Sequence, residues 1–120
     1  MPPKRNWRMR IQDILSAIDD VEKFTDTVGS FESFLNNKLV YYAVLKALEI
    51  IGEASHHLPN EIKEKYPEIP WVQLKNFRNH LAHEYFGIDA EVVWNASKDE
   101  LPALKNTLIK ILDSAIDQSN

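Results

Sequence analysis

Eight consecutive residues, 78–85, concentrate more reactive side chains than any other stretch of this 120-residue chain. They include a guanidinium, a carboxamide, two imidazoles and a phenol, on Arg78, Asn79, His80, His83 and Tyr85. Histidine can take up and release protons near neutral pH because its ordinary pKa is about 6.5. Arginine suits a phosphate because its planar fork donates to two oxygens at once. The types of residue therefore fit metal-free RNA cleavage, in which a ribose 2′-hydroxyl attacks its own phosphate.

The elements around this stretch must aim its side chains. Apolar residues recur at helical spacing from Trp71 onwards and predict a helix over about 71–85, with Pro70 at its start. On a straight helix Arg78 and His83 point roughly 140° apart, with a rise of about 7.5 Å between them. One helix therefore does not aim both at a small target. The helix loosens near His83, or Arg78 reaches around, or two copies of the chain pool their groups.

Other chemistries fit the stretch less well. His80 and His83 are three residues apart and could share a metal ion, but no third ligand is evident, so we expect no metal and no cofactor. The chain has no cysteine, which excludes disulfides and thiolate nucleophiles, and the stretch has no serine or threonine for covalent hydrolysis. The remaining alternative is structural: Arg78 pairs with an acidic residue and His83 ends a helix.

Composition predicts one globular domain that contains no membrane span. Without a long apolar run or an N-terminal signal, we expect a cytoplasmic protein. The net charge of −4 argues against broad, non-specific binding to nucleic-acid backbones but leaves room for a local basic site.

The first ten residues are the basic exception. They carry four positive charges, on Lys4, Arg5, Arg8 and Arg10. Residues 1–6 are predicted to be a flexible basic arm, which is either a solvated tail or a contact for RNA phosphates.

Two long helices are predicted before the reactive stretch. The first runs over about Trp7–Val28 and ends at Gly29. The second runs from about Ser33 or Asn36 to His57 and is apolar on two sides, so we expect its second side to meet another subunit. This second apolar side consists of Leu39, Ala43, Ala47, Ile50 and Ala54.

A polar strip completes the second helix and consists of Lys46, Glu49, Glu53 and His56 or His57. It is either a solvated face with intrahelical ion pairs or the source of a carboxylate, from Glu53 or Glu49, that orients Arg78. Gly52 would let a neighbouring helix approach closely.

The rest of the chain adds a short helical turn over residues 60–66 and a last helical region over 89–117. Asp89 is expected to cap that region. Because Pro102 cannot lie deep inside an unbroken helix, we predict a break near Ser97–Asp99, with Asp99 as a new cap. The sum is an all-α protein, an antiparallel up-and-down four-helix bundle with a short extra helix.

The motif and its surroundings resemble the HepT-like toxins of the HEPN superfamily. Their pattern is Arg, four residues, His, any residue, Tyr, which Arg78, His83 and Tyr85 match. The resemblance extends over about residues 7–115. It includes the segments 42–54, Ile69-Pro70-Trp71, 85–89 with Val93-Trp94, and 99–104.

The resemblance implies a HEPN-like helical domain over residues 7–118 that forms a homodimer and acts as a metal-independent endoribonuclease toxin. It assigns catalysis to Arg78 and His83 and a supporting role to Asn79, with His80 at most a support residue. It makes Tyr85 the site at which a nucleotidyltransferase antitoxin of the MntA type adds AMP. An alternative, motivated by the negative charge, is an inactive module that only binds such a transferase or a nucleotide.

Overall fold

The computed structural model describes residues 6–75 and 89–118, with side chains for 6–75 and 89–114. All regular elements in these ranges are helical, which confirms an all-α fold for the part of the chain described. They are α1 (Trp7–Val28), α2 (Phe31–Leu35), α3 (Lys38–His56), α4 (Asn60–Lys65), α5 (residues 71–75), α6 (Ala90–Asn95), a π-helical segment (Ala96–Glu100) and α7 (Leu101–Gln118).

Helix α1 has the bounds predicted from sequence. Asn6, which sequence analysis assigned to the arm, caps it by accepting a hydrogen bond from the Met9 N–H at 2.9 Å. Gly29 ends it with φ 76°, a left-handed conformation that glycine adopts without strain, and donates its N–H to Thr25 O at 3.0 Å. One face of the helix is buried, through Ile11, Ile14, Ala17, Ile18, Val21 and Thr25.

The predicted second helix is two helices. Ser30 caps α2 by accepting from the Ser33 N–H, and Asn37 caps α3 by accepting from the Val40 N–H at 3.0 Å. Asn36 and Asn37 separate the two, because asparagine competes with helical hydrogen bonding through its own side chain. Of the two predicted starts, Asn36 lies two residues before α3 begins at Lys38, whereas Ser33 lies within α2; the predicted end at His57 is correct to within one residue.

The core forms where α1 packs along α3 and α7 packs against α1. Phe34 of α2 is fully buried, with its ring centroid 5.2 Å from that of Trp94 and 5.5 Å from that of Tyr41. On the surface, Lys105 of α7 lies 3.1 Å from the Asp19 carboxylate of α1.

The predicted break near Ser97–Asp99 is wrong. The chain stays in right-handed helical conformation from Asn95 through Leu101, and the Leu101 N–H bonds to Ala96 O, five residues earlier. In a regular α-helix the ring of Pro102 would clash with the carbonyl four residues before it. A wider π turn directly before the proline accommodates the ring without ending the helix. Asp99 lies inside this segment and caps nothing.

Candidate functional site

None of the predicted motif, residues 78–85, is among the residues that the structure describes. Arg78, Asn79, His80, His83 and Tyr85 lie outside the described residues, as does the predicted helix beyond residue 75. Of the predicted site residues, Glu53 is described. The structure shows how the chain is held on either side of the motif, and which charges and surfaces lie on the neighbouring elements.

The segment that enters the motif is fixed to α4. The indole N–H of Trp71 donates to the carbonyl oxygens of Lys63, at 3.1 Å, and Tyr66, at 3.0 Å. Ile69 is buried, and Leu74 packs against the core. The first helical hydrogen bond of α5 runs from the Leu74 N–H to Pro70 O at 3.0 Å, so the helix starts beside Pro70 as predicted.

The segment that leaves the motif is fixed as well. Asp89 caps α6, as expected, by accepting from the Glu91 N–H at 2.9 Å. Val93, one turn later, is fully buried in the core. Residues 76–88 thus connect two points of the chain that are anchored by burial and hydrogen bonds.

Helix α3 carries a partly apolar stripe that remains exposed to a large extent among the described residues. At about 100° per residue, five side chains of α3 fall within roughly 60° of one line along the helix. They are Leu39, Tyr42, Lys46, Ile50 and Glu53. Leu39 is 81% exposed, and Tyr42 and Ile50 are each 41% exposed. We call this set the α3 stripe.

The second apolar side that was predicted for this helix is only partly exposed. Ala47 and Ala54, assigned by sequence to the second side, are buried in the core instead. Leu39 and Ile50, assigned to the same side, are exposed. A partly apolar exposed face is what remains available to a partner.

The charged groups of the predicted polar strip make intrahelical pairs. Lys46 Nζ lies 3.5 Å from Glu49 Oε2, and His57 Nε2 lies 2.8 Å from Glu53 Oε1. Exposed pairs of this kind stabilise a helix by only about 0.2–0.5 kcal/mol each. Whether Glu53 also orients Arg78 stays a prediction.

A groove of about 180 Å³ runs between α1 and α3 beside Glu53. Arg10 and Asp13 line it from α1, and Lys46 and Glu49 line it from α3. The Nε of Arg10 is buried and has no hydrogen-bond partner among the described residues. Sequence analysis counted Arg10 with the basic N-terminal residues and missed this groove, because only packing of α1 against α3 brings the two sets of charges together.

Two lysines concentrate positive charge where the chain enters the motif. Burial, and then the neighbouring Lys75 ammonium, lower the pKa of Lys63 from its ordinary value. Lys63 Nζ also donates to His56 O at 3.3 Å. Sequence analysis did not find this pair, since Lys63 and Lys75 lie on different helices and have no common spacing.

Within residues 6–75 and 89–114, no three histidine or acidic side chains gather in a way that could hold a metal ion. Among the helices described, none has the length and apolar character needed to cross a membrane.

Over most of its length the chain is similar to proteins whose names describe them as probable or putative ribonucleases. The model of the family described as HepT-like ribonucleases matches residues 14–111. A Thermococcus cleftensis protein named "Probable ribonuclease HepT" is 44% identical over 108 residues, which is 90% of this chain and 97% of that protein. Two Methanocaldococcus jannaschii proteins, each named "Putative RNase", are 44% identical over 110 residues, which is 92% of this chain and 94% and 90% of theirs. No solved structure matches.

Proposed function

This chain belongs to the HepT-like ribonuclease family, and on that premise we propose that it is a metal-independent endoribonuclease and the toxin of a toxin–antitoxin pair. The observation that carries the proposal is the family match over residues 14–111, which contains Arg78 and His83 in the spacing of the motif. The proposed site of action is the cytoplasm, and the substrate is RNA.

The proposed reaction is an internal transesterification. A base removes the proton of the ribose 2′-hydroxyl, and the 2′-oxygen bonds to the adjacent phosphorus. The bond from phosphorus to the 5′-oxygen breaks, and an acid returns a proton to that oxygen. The products are a 2′,3′-cyclic phosphate and a 5′-hydroxyl. Arg78 stabilises the charge on the phosphate, and His83 carries the protons.

A single His83 supplies one proton carrier, whereas the reaction needs an acid and a base. We therefore propose a homodimer in which each protomer contributes its Arg78 and His83 to a common cleft, with Asn79, His80 and Glu53 in support. The exposed α3 stripe supports this proposal because Leu39, Tyr42 and Ile50 give a second copy an apolar surface to cover.

The proposed control of the toxin is the addition of AMP to Tyr85. The partner would be an MntA-type nucleotidyltransferase antitoxin that uses the tyrosine hydroxyl as acceptor. A bulky phosphate-bearing group beside Arg78 would repel the RNA phosphate and occupy its place.

Cleavage of RNA in EDTA by purified protein tests the nuclease proposal. We expect Arg78→Ala and His83→Ala each to reduce cleavage about 10²-fold or more, as for the loss of a general acid–base group. His80→Ala, which removes an imidazole from the same motif, should cost much less. Equal cleavage by the wild type and both catalytic variants would end the claim. If neither the wild type nor the variants cleave RNA but the protein still binds a nucleotidyltransferase, the result would favour the binding-module alternative.

Mixed dimers test whether the site is shared. If both histidines serve one cleft, an equal mixture of wild type and His83→Ala should retain about a quarter of the wild-type activity after subunit exchange, since random pairing leaves that share of intact dimers. Independent sites in each protomer would leave about half. Activity that follows the wild-type fraction linearly therefore contradicts a shared cleft.

A further inference from the structure

A second groove lies beside the first residue of α1, on elements other than the motif. It has a volume of about 220 Å³, and Trp7, Glu61, Lys65 and Tyr66 line it, with Ile62 and Ile111 as further apolar wall. We call it the Trp7 groove. It contains two aromatic rings from distant parts of the sequence, which α1 and α4 bring together.

Each ring of the Trp7 groove has a cation beside it. The guanidinium carbon of Arg8 lies 4.7 Å from the centroid of the Trp7 ring. Lys65 Nζ lies 5.9 Å from the centroid of the Tyr66 ring. Both cations are on exposed side chains, whereas both rings are half-buried. The groove therefore combines half-buried aromatic walls with two exposed cations beside the rings.

Resting on the proposed function, we propose that the Trp7 groove is an accessory subsite for single-stranded RNA, in which a base contacts Trp7 and Tyr66 while the flanking phosphates pair with Arg8 and Lys65. Proteins that hold single strands combine these two elements, aromatic rings for bases and cations for the backbone. Glu61 adds an acceptor that can bind a ribose hydroxyl or a base amino group.

The distribution of charge favours RNA as the occupant over an acidic or neutral protein segment. The whole chain has a net charge of −4, yet two cations, Arg8 and Lys65, stand beside the rings of this groove against one carboxylate of its lining, Glu61. A local positive field in an acidic protein attracts a polyanion to that place in particular.

One hydrogen bond connects the groove to the helix that enters the motif. The Trp71 indole N–H, at the start of α5, donates to Tyr66 O at 3.0 Å. A nucleotide held against Tyr66 would therefore lie one hydrogen bond away from the start of α5. The subsite would position the RNA strand without taking part in the chemistry. It should therefore change the affinity for RNA and not the rate at which bound RNA is cleaved.

Fluorescence anisotropy with a labelled single-stranded RNA of about ten nucleotides, a length typical of such sites, tests the subsite. The protein is the full chain with His83→Ala, which prevents cleavage. We expect Trp7→Leu to weaken binding about tenfold and Trp7→Phe, which keeps a ring, less than about threefold. Arg8→Ala and Lys65→Ala should each weaken binding about threefold and reduce the salt dependence by about one counterion.

Lys98→Ala is the matched control. Lys98 also lies over an aromatic ring, 5.1 Å from the Trp94 centroid, but that pair lines neither of the two grooves. It should bind RNA like the parent. Equal losses in Lys98→Ala and Lys65→Ala would overturn the proposal, because they would show a general charge effect.

Parallel cleavage assays, with protein in which His83 is unchanged, separate this inference from the nuclease proposal. Groove variants should raise KM and leave kcat unchanged within about twofold. Cleavage with an unaltered KM in Arg8→Ala and Lys65→Ala, which both replace exposed side chains, would overturn the subsite and leave the nuclease standing. Weakened RNA binding in a protein that cleaves nothing would support the subsite and end the nuclease proposal.

Discussion

Glu53 and His57 lie one turn apart on α3, with Glu53 Oε1 2.8 Å from His57 Nε2. The pair lies at the C-terminal end of the helix, where His57 is the C-cap residue. Glu53 is also part of the α3 stripe and of the groove shared with α1. The same carboxylate therefore belongs to a helix-stabilising pair and to the surface on which the proposed dimer would form.

Replacing Glu53 by Gln tests whether this carboxylate supports catalysis. The amide keeps the shape but removes the charge that would orient Arg78, so we expect kcat to fall about tenfold with KM little changed. Glu49→Gln, which removes the other carboxylate considered for this role and its pair with Lys46, is the matched control. His57→Ala breaks the Glu53 pair without removing the carboxylate. If His57→Ala lowers kcat as much as Glu53→Gln does, Glu53 acts by stabilising α3 and not through Arg78.

Two isoleucines with the same exposure allow a test of the proposed interface. Ile50 on α3 is 41% exposed, and Ile109 on α7 is 40% exposed. Ile50→Glu places a charge in the proposed contact and should give monomers in sedimentation velocity, with loss of RNA cleavage. Ile109→Glu should leave both the dimer and cleavage intact. Dimers that persist in Ile50→Glu, or dissociate equally in both variants, would contradict an interface on the α3 stripe.

The contact between α7 and α1 has a defined pH dependence. Hydrogen bonding to Asp19, with further attraction from Glu22, raises the pKa of Lys105 above its ordinary value of 10.5. Because the folded-state pKa is the higher one, the charged lysine stabilises the fold fully below pH 10.5, and this contribution is lost as pH rises through the raised value.

Urea unfolding of Lys105→Met measures that contribution. The variant should have a lower urea midpoint than the wild type at pH 7, by a small amount since the groups are exposed, and the difference should vanish at strongly alkaline pH. Lys110→Met, on the same helix and exposed, should show no difference at either pH. If the difference in urea midpoint between Lys105→Met and the wild type grew with pH, the raised pKa assigned to Lys105 would be contradicted.

Sequence predicted the elements whose signals are local. The bounds of α1 follow from the spacing of its buried residues and from Gly29, and the cap of α6 follows from Asp89. Each of these depends on residues within one or two turns. The family of the chain was also evident from its motif and the segments around it, and the matches over residues 14–111 confirm it.

Sequence failed where tertiary packing decides the outcome. Pro102 was expected to break the last helix, but a π turn keeps α6 and α7 continuous across it. Ala47 and Ala54 were assigned to the second apolar side of the helix, which was expected to meet another subunit, but both are buried in the core of the chain itself. The grooves at Arg10 and at Trp7 join residues far apart in the chain, which spacing along one helix does not reveal.

Tyr85 provides the last prediction, on control of the toxin. After co-expression with an MntA-type nucleotidyltransferase, the intact mass of the wild type should rise by whole AMP units and its RNA cleavage should fall, because the added anion competes with the RNA phosphate. Tyr85→Phe should keep its mass and escape the inhibition, since it has no hydroxyl to accept the group. Tyr42→Phe is the matched control, because Tyr42 is an exposed tyrosine on α3, and it should gain mass like the wild type. An unchanged wild-type mass, or an equal gain in Tyr85→Phe, would remove Tyr85 as the acceptor and leave its place in the motif without a regulatory meaning.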